Sequence, residues 1–226
     1  MSKQDFSKQQ TNNPQFRVYV ANMERYNAGE LVGGWLALPT TNNQITIFLK
    51  TQVCLTSPCE DGYAIHDFES DFSFGEYESL YDLNLLAIKL EQLSVTEKAL
   101  VAAYCSANRL KDTTSILNIA EQVNEIPYVE LDANIWGSRE EKLGYALLDD
   151  FNSDLRVVLE QCQLDEGLNA YVYFDFEAYG RDMAITKGYF AADNLFIFYH
   201  SDIDPKLYSI HELKEPLLHD PRLAAF

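Results

Sequence analysis

Phe16-Arg17-Val18-Tyr19-Val20 opens the stretch, running on to Lys50, from which the fold of this chain is read. Apolar and polar residues alternate there with a period of two, the pattern of a strand whose successive side chains leave opposite faces of the backbone. Val32-Gly33-Gly34-Trp35-Leu36-Ala37-Leu38 reads as a second strand, stopped by Pro39, because proline has no N–H to give to a ladder. Gln44 to Lys50, containing Ile45, Thr46, Ile47, Phe48 and Leu49, reads as a third strand on its β-branched content. Asn22 to Glu30 is a polar connection suited to a short helix or turn, and Asn42-Asn43 marks a turn before the third strand.

Beyond this β-rich opening the period changes. Ser73-Phe74-Gly75-Glu76 is a capping-box pattern, and Leu83, Leu86, Leu90 and Leu93 follow at helical spacing. Ser94-Val95-Thr96-Glu97 repeats the box before Leu100, Ala103 and Tyr104, and a weaker helix is expected from about Ser115 to Val123, ended by Pro127. Ser138-Arg139-Glu140-Glu141 is a third box, with Leu143, Leu147 and Phe151 facing inward, and Asn152 or Ser153 caps a short helix through Leu155, Val158 and Leu159. Tyr171-Val172-Tyr173-Phe174 and Leu195 to Tyr199 read as strands. Residues 201–226 hold three of the seven prolines and little periodicity, so they read as an extension. The fold class is α+β, in two or three small consecutive units.

Charge is the second theme. Acidic residues number 35 against 17 basic ones, a net charge of −18, yet 47% hydrophobic and 13% aromatic content is that of a folded protein. Between Lys50 and Lys89 lie Glu60, Asp61, Asp67, Glu69, Asp71, Glu76, Glu78 and Asp82 without one lysine or arginine. Such self-repulsion costs stability, so the field itself is the first candidate for the function. Asp67, Glu69 and Asp71 alternate so that an extended segment aims all three one way, either as a charged row for a partner or as an ordinary solvated face. Glu121 and Glu125 are spaced to repel along one helix. Glu140, Glu141, Asp149, Asp150, Asp154 and Glu160 line the polar faces of the helices after Ser138, with Lys142 and Arg156 as partial compensation. At one charge per ~1.7 Å of duplex, eighteen net charges equal roughly 30 Å of DNA. An acidic surface is repelled by nucleic acid and by anionic membranes, so the favoured partners are basic surfaces, among them the grooves of DNA-binding proteins. The leader, Met1 to Pro14, is polar and has no apolar segment of a secretory signal, which fits a cytoplasmic setting.

Reactive constellations are thin. Cys54, Cys59, Cys105 and Cys162 form no CxxC pair, and Cys54-x4-Cys59 with His66 is a loose spacing for zinc, so the thiols read as reduced and packed as small hydrophobes. His66, His200, His211 and His219 make no ligand pattern. Asp175 and Glu177 could pair as acid and base but equally fit surface alternation. Gly33-Gly34 lacks the other glycines of a phosphate loop, and there is no GxSxG, P-loop or HExxH. No cofactor, no metal and no catalysis are expected.

Three motifs together resemble one family. Arg17-Val18-Tyr19-Val20-Ala21-Asn22 leading to Tyr26-Asn27-Ala28-Gly29-Glu30-Leu31-Val32-Gly33-Gly34-Trp35 resembles the N-terminal signature of the ArdA antirestriction proteins. Tyr63-Ala64-Ile65-His66-Asp67-Phe68-Glu69 is similar to their central motif, and Tyr173-Phe174-Asp175-Phe176-Glu177-Ala178-Tyr179-Gly180-Arg181-Asp182 to their third. The resemblance implies a DNA mimic, carried by mobile elements, that occupies the DNA-binding groove of type I restriction–modification enzymes in the host bacterial cell. It also implies an elongated chain of three small domains, dimeric through the last. Carried over, the units are a leader 1–14, a β-rich domain 15–72, a helical domain 73–116, a mixed α+β domain 117–200 and an extension 201–226. The aromatic stretches around Tyr173, Tyr179, Phe196 and Phe198 are the dimer-interface candidates, although they equally suit the core of the third domain. The alternative function is an acidic anti-defence or adaptor protein for another basic nucleic-acid machine, such as a CRISPR effector.

Overall fold

A computed structural model describes residues 14–56, 62–150, 152–165, 167–192, 194–199 and 207–224. Contacts divide the chain into two compact units, one formed by residues up to Val123 together with Asp204–Phe226, the other by Asn124–Ile203. The segments 15–72 and 73–116, separable on sequence pattern, fall within the same unit.

The first unit begins with β1 (Phe16–Asn22), α1 (Met23–Asn27) and β2 (Gly33–Leu38), then α2 (Asn42–Thr51) and β3 (Tyr63–Glu69). β1 is the middle strand, antiparallel to both neighbours in the order β2-β1-β3. Val18 lies opposite Leu36 and Phe68, which sets the apolar inner face, while Tyr19 lies opposite Trp35 and Asp67 on the outer one. Phe16, Val18, Leu36 and Leu38 are buried on the inner side.

The expected third strand, Gln44 to Lys50, is instead helix α2, and Asn42-Asn43 is its first turn rather than a hairpin bend. Two observations explain the reversal. The Thr41 hydroxyl accepts from the Gln44 N–H while Gln44 reaches back to the Thr41 N–H, closing a capping box. Ile45, Phe48 and Leu49 then fall on one buried face at helical spacing. Tertiary burial overrode the weak β preference of Thr46 and Ile47.

Helices α3 (Leu80–Glu91), α4 (Val95–Ala107) and α5 (Thr113–Glu121) follow. The Ser73–Glu76 pattern does not start α3; Ser79 caps it, accepting from the Asp82 N–H, and Leu93 lies past its end. α3 is buried on nearly all sides, through Leu83, Leu86 and Leu90 and also Leu85, Ala87 and Ile88. In its buried polar residue, Asn84, both side-chain ends are bonded: the carbonyl accepts from the Thr40 N–H at 2.7 Å and the amide donates to the Thr40 carbonyl at 2.8 Å. One carboxamide thereby satisfies both backbone groups of a residue that has no ladder partner. α4 starts at Ser94 with the expected capping box, and Asp112 caps α5.

The second unit contains β4 (Tyr128–Glu130), α6 (Arg139–Asp150), α7 (Ser153–Gln161), a small hairpin of β5 (Gln163–Asp165) and β6 (Leu168–Asn169), α8 (Phe176–Lys187), β7 (Gly188–Ala192) and β8 (Leu195–Phe198). Its three-stranded antiparallel sheet has the order β4-β8-β7. Tyr171 to Phe174, expected as a strand, falls largely in a 3-10 turn spanning Ala170–Tyr173. Val129, Leu131, Leu143, Leu147 and Phe196 form the core, flanked by Tyr179, Met183, Phe190 and Phe198. α6 and α8 touch backbone to backbone. A Cβ on Gly144 would strike the Phe176 carbonyl, and one on Gly180 would strike the Glu140 carbonyl. Two glycines on facing helices thus set their separation.

The terminal segment is no loose extension. Residues 207–224 carry α9 (Ile210–Lys214), capped by a Ser209–Glu212 box, and two 3-10 turns, Glu215–Leu217 and Pro221–Leu223. They bury Leu213, Leu217 and Leu223 against the first unit. Asn118 of α5 repeats the Asn84 device, accepting from the Tyr208 N–H and donating to the Tyr208 carbonyl, each at 2.9 Å. Arg222 bridges Asp220 and Glu91, both at 2.7 Å, and the Asn42 amide donates to the Leu223 carbonyl.

Candidate partner-binding surface

The outer face of the first sheet follows from its register, because directly paired residues share a face. One row reads Trp35, Tyr19, Asp67 and the next Ala37, Arg17, Glu69. Tyr19 and Trp35 meet edge to face at 5.6 Å between centroids. β3 is an edge strand, so Asp67 and Glu69 stand at the margin of the sheet. Both are exposed. Glu69 lies 3.5 Å from Arg17, whereas Asp67 accepts only the Phe68 N–H and has no ion pair among the described residues. Asp71 lies just past the strand end, exposed, and Glu76 is exposed in the following turn.

Other carboxylates of the base-free stretch have structural partners. Glu78 accepts from the Thr113 N–H at 3.0 Å and from its hydroxyl at 2.5 Å, so it sits at the N-terminus of α5, where backbone donors favour an anion. Asp82 occupies the first turn of α3 and is half-buried. Glu60 and Asp61 lie outside the described residues. Glu121 ends α5 and pairs with Lys89 at 2.5 Å, while Glu125 is in a 3-10 turn, so the two are not on one helix as their spacing suggested.

In the second unit, Glu140 pairs with Arg139 at 3.1 Å, and Asp149 and Glu160 share Arg156 at 2.6 and 2.9 Å. Asp154 is exposed in the first turn of α7, and Glu141 is half-buried beside Gly137. The Asp150 side chain lies outside the described residues. Asp175 and Glu177, weighed as an acid and base, do local structural work: Asp175 caps α8 by accepting from the Ala178 N–H, and Glu177 accepts from the Ser138 hydroxyl.

The dimer candidates divide sharply. Phe196 is wholly buried in the core and so cannot face a partner, Phe198 packs beside it, and Tyr179 is half-buried with its hydroxyl accepting from the Asn152 amide. Tyr173 is exposed. Sequence reasoning named Leu155 and Val158 of α7 but not their exposure: the helix buries no residue and leaves Leu155, Val157 and Val158 in solvent. The same reasoning passed over Trp136, 97% exposed. The signal was available for α7, in the three apolar residues of its polar-looking capped segment. Of the cysteines, Cys54 and Cys162 are exposed rather than packed. Cys105 is buried, and burial pushes its thiol up to about 12, with Asp112 adding to the shift. His66 stacks edge-on against Tyr26.

These features define a class: an acidic α+β protein whose outward faces carry carboxylates and exposed aromatic residues. Among the described residues no group of histidine, cysteine and carboxylate side chains could hold a metal ion, and no helix is long and apolar enough to cross a membrane. The family model of the antirestriction protein ArdA matches residues 18–198. The chain belongs to the ArdA family of antirestriction proteins. A search of curated proteins found no match.

Proposed function

We propose that this protein blocks type I restriction–modification enzymes by standing in for duplex DNA in their DNA-binding groove. The observation that carries this reading is a net charge of −18 together with outward carboxylates, Asp67, Asp71, Glu76 and Asp154 among them, that have no ion pair among the described residues. Carboxylates left without an internal cation keep their field for an external one. A groove built for phosphates releases its bound anions to such a surface as it does to DNA, and complementary charge speeds the encounter. No bond is made or broken; inhibition is occupancy. The action is placed in the cytoplasm, where the enzymes meet incoming DNA.

The active species is a homodimer joined through the second unit. The apolar surface of α7, with Leu164, Val172 and Tyr173 also exposed, supports this, since isologous pairing is the commonest way to cover such a surface. Gel-shift competition for a purified type I methyltransferase tests the mimicry. The protein should displace duplex DNA and lose affinity as salt rises; stable co-binding, or salt-independent binding, would rule it out. Light scattering tests the dimer, which a monomeric mass at micromolar concentration would overturn.

A further inference from the structure

Trp136 has one of the two indoles in the chain and is 97% exposed. Its loop is held in place. Asp132 Oδ1 accepts from the N–H and the side-chain amide of Asn134, and the Ile135 N–H donates to the Asp132 carbonyl. Gly137 follows at φ +141°, and Ser138 is tied to Glu177. A large aromatic side chain held in water by a hydrogen-bonded loop is of the kind that anchors interfaces. The indole edges an open groove of about 540 Å³ lined by Ala133, Ile135, Ser138 and Lys142.

The same unit shows what such a ring accepts. Arg139 lies over the Phe190 ring at 4.3 Å and is paired with Glu140. Arg156 lies over the Tyr171 ring at 5.7 Å and is paired with Asp149 and Glu160. In both places a guanidinium is held between an aromatic face and carboxylates, a combination of cation–π attraction and charge-assisted hydrogen bonding. Trp136 repeats the aromatic part, with anionic groups held against the two residues that follow it. Glu141 crowds Gly137, and Glu177 is bonded to Ser138, so carboxylates flank the two residues after the ring. Among the described residues, Lys142 is the one cation in the groove wall. No cation lies over the indole among the described residues. The second unit carries sixteen acidic residues against five basic ones, which selects a cationic occupant and repels phosphate.

We infer that Trp136 and its flanking carboxylates receive an arginine side chain projecting from the cationic DNA-binding groove of the target enzyme. The inference rests on the mimic reading and adds to it one anchoring contact. A DNA-binding groove places arginines where phosphates and bases will lie, and an indole offers such an arginine a face to stack on, as a base does.

The test uses the full-length chain carrying Trp35→Phe, which leaves Trp136 as the one tryptophan, labelled as 5-fluorotryptophan and titrated with a purified type I methyltransferase. The single fluorine resonance should shift or broaden away as the complex forms. In parallel, Trp136→Ala and Trp136→Leu should each weaken binding about tenfold or more, while Trp136→Tyr keeps most of the affinity, as expected of an aromatic anchor facing a cation. Full affinity in Trp136→Leu would show an apolar occupant and overturn the arginine assignment. A resonance that moves with protein concentration in the absence of enzyme would assign the indole to a second copy of this chain. If the inhibitor binds and is displaced by DNA but the resonance stays put and Trp136→Ala binds normally, the anchor is overturned while mimicry stands. If the enzyme is not bound at all, mimicry fails and the anchor with it.

Discussion

The two units share a fold class but distribute charge and packing in opposite ways. The first, with nearly two thirds of the chain, has nineteen acidic and twelve basic residues; the second has sixteen and five. The first also has the deeper core: α3 is enclosed on nearly all sides, and two buried asparagines each bond both backbone groups of one residue. The second is built around a handful of core side chains, with one helix that buries nothing. Self-repulsion destabilises a compact state, so the unit with the denser charge would be expected to need the larger core. It has the smaller one, and its helices are held instead by direct backbone approach at Gly144 and Gly180. Charge density here has been taken up at the expense of packing, which is the pattern expected where a surface is selected for its field.

That contrast can be broken most severely at Gly180. Gly180→Val should force α6 and α8 apart and cost unit two about 3 kcal/mol or more, as overpacking does in a dense interior. Hydrogen exchange should then rise across 139–187 while 16–38 keeps its protection. Equal loss in both regions would show that the two units unfold as one.

Charge provides the next test. Neutralising Asp67, Glu69, Asp71 and Glu76 together, or Glu125, Glu130, Asp154 and Asp182 together, should weaken binding of a type I methyltransferase by about 2 kcal/mol, at ~0.5 kcal/mol for each exposed charge. The second set should also flatten the salt dependence more, because it thins the denser field. If only one set matters, one unit alone does the imitating.

Asn118→Ala should cost unit one about 2 kcal/mol, the scale for stranding two backbone partners of a buried amide. Limited proteolysis would report it as new cleavage within 207–224. Asn84→Ala should give a similar loss without that cleavage. Smaller still is the acid response of the terminal segment. The Arg222 guanidinium holds the Asp220 carboxyl below its ordinary value of 3.8. Its contribution is therefore complete above 3.8 and is lost as pH falls through the lower folded-state value. Asp220→Asn should remove that contribution and leave a shallower acid transition in the same segment. Least of all, Asp67→Asn should change affinity by less than ~1 kcal/mol, since a single exposed charge in a shared field is weakly felt.

Much of this architecture is legible in the residues, and the failures have physical causes. β1 shows its period of two and β2 its stop at Pro39, and Ser94 and Ser138 mark true helix starts, because caps are local chemistry. α2 was hidden by Thr46 and Ile47, whose strand preference is weaker than the burial of Ile45, Phe48 and Leu49 on one helical face. The start of α3 was misplaced because Ser73 and Ser79 both offer a cap and only the folded chain chooses. Tyr171 to Phe174 has the composition of a strand but leads into the Asp175 cap. The terminal segment could not be read at all, since Asn118 and Tyr208 are joined across 90 positions. At the candidate surface, the exposure of Asp67, Glu69 and Asp71 was readable from alternation. The diversion of Glu78 to the N-terminus of α5 was not, nor was the sharing of Arg156 between Asp149 and Glu160.

The return of the chain to its first unit also constrains synthesis. A ribosome delivers residues 14–123 early, yet α5 still lacks the partner that Asn118 will hold, and Glu91 lacks Arg222. Every residue of the second unit must leave the exit tunnel before those bonds can close. The first unit begun is therefore the last to be completed, and a released chain that stops at residue 203 has its second unit entire and its first unit open along α3 and α5. Domains otherwise tend to finish in the order in which they are translated. Here residues 207–224 act as the closing stitch, so a stop codon ahead of them would be felt far back along the chain, at Asn42, Glu91 and Asn118.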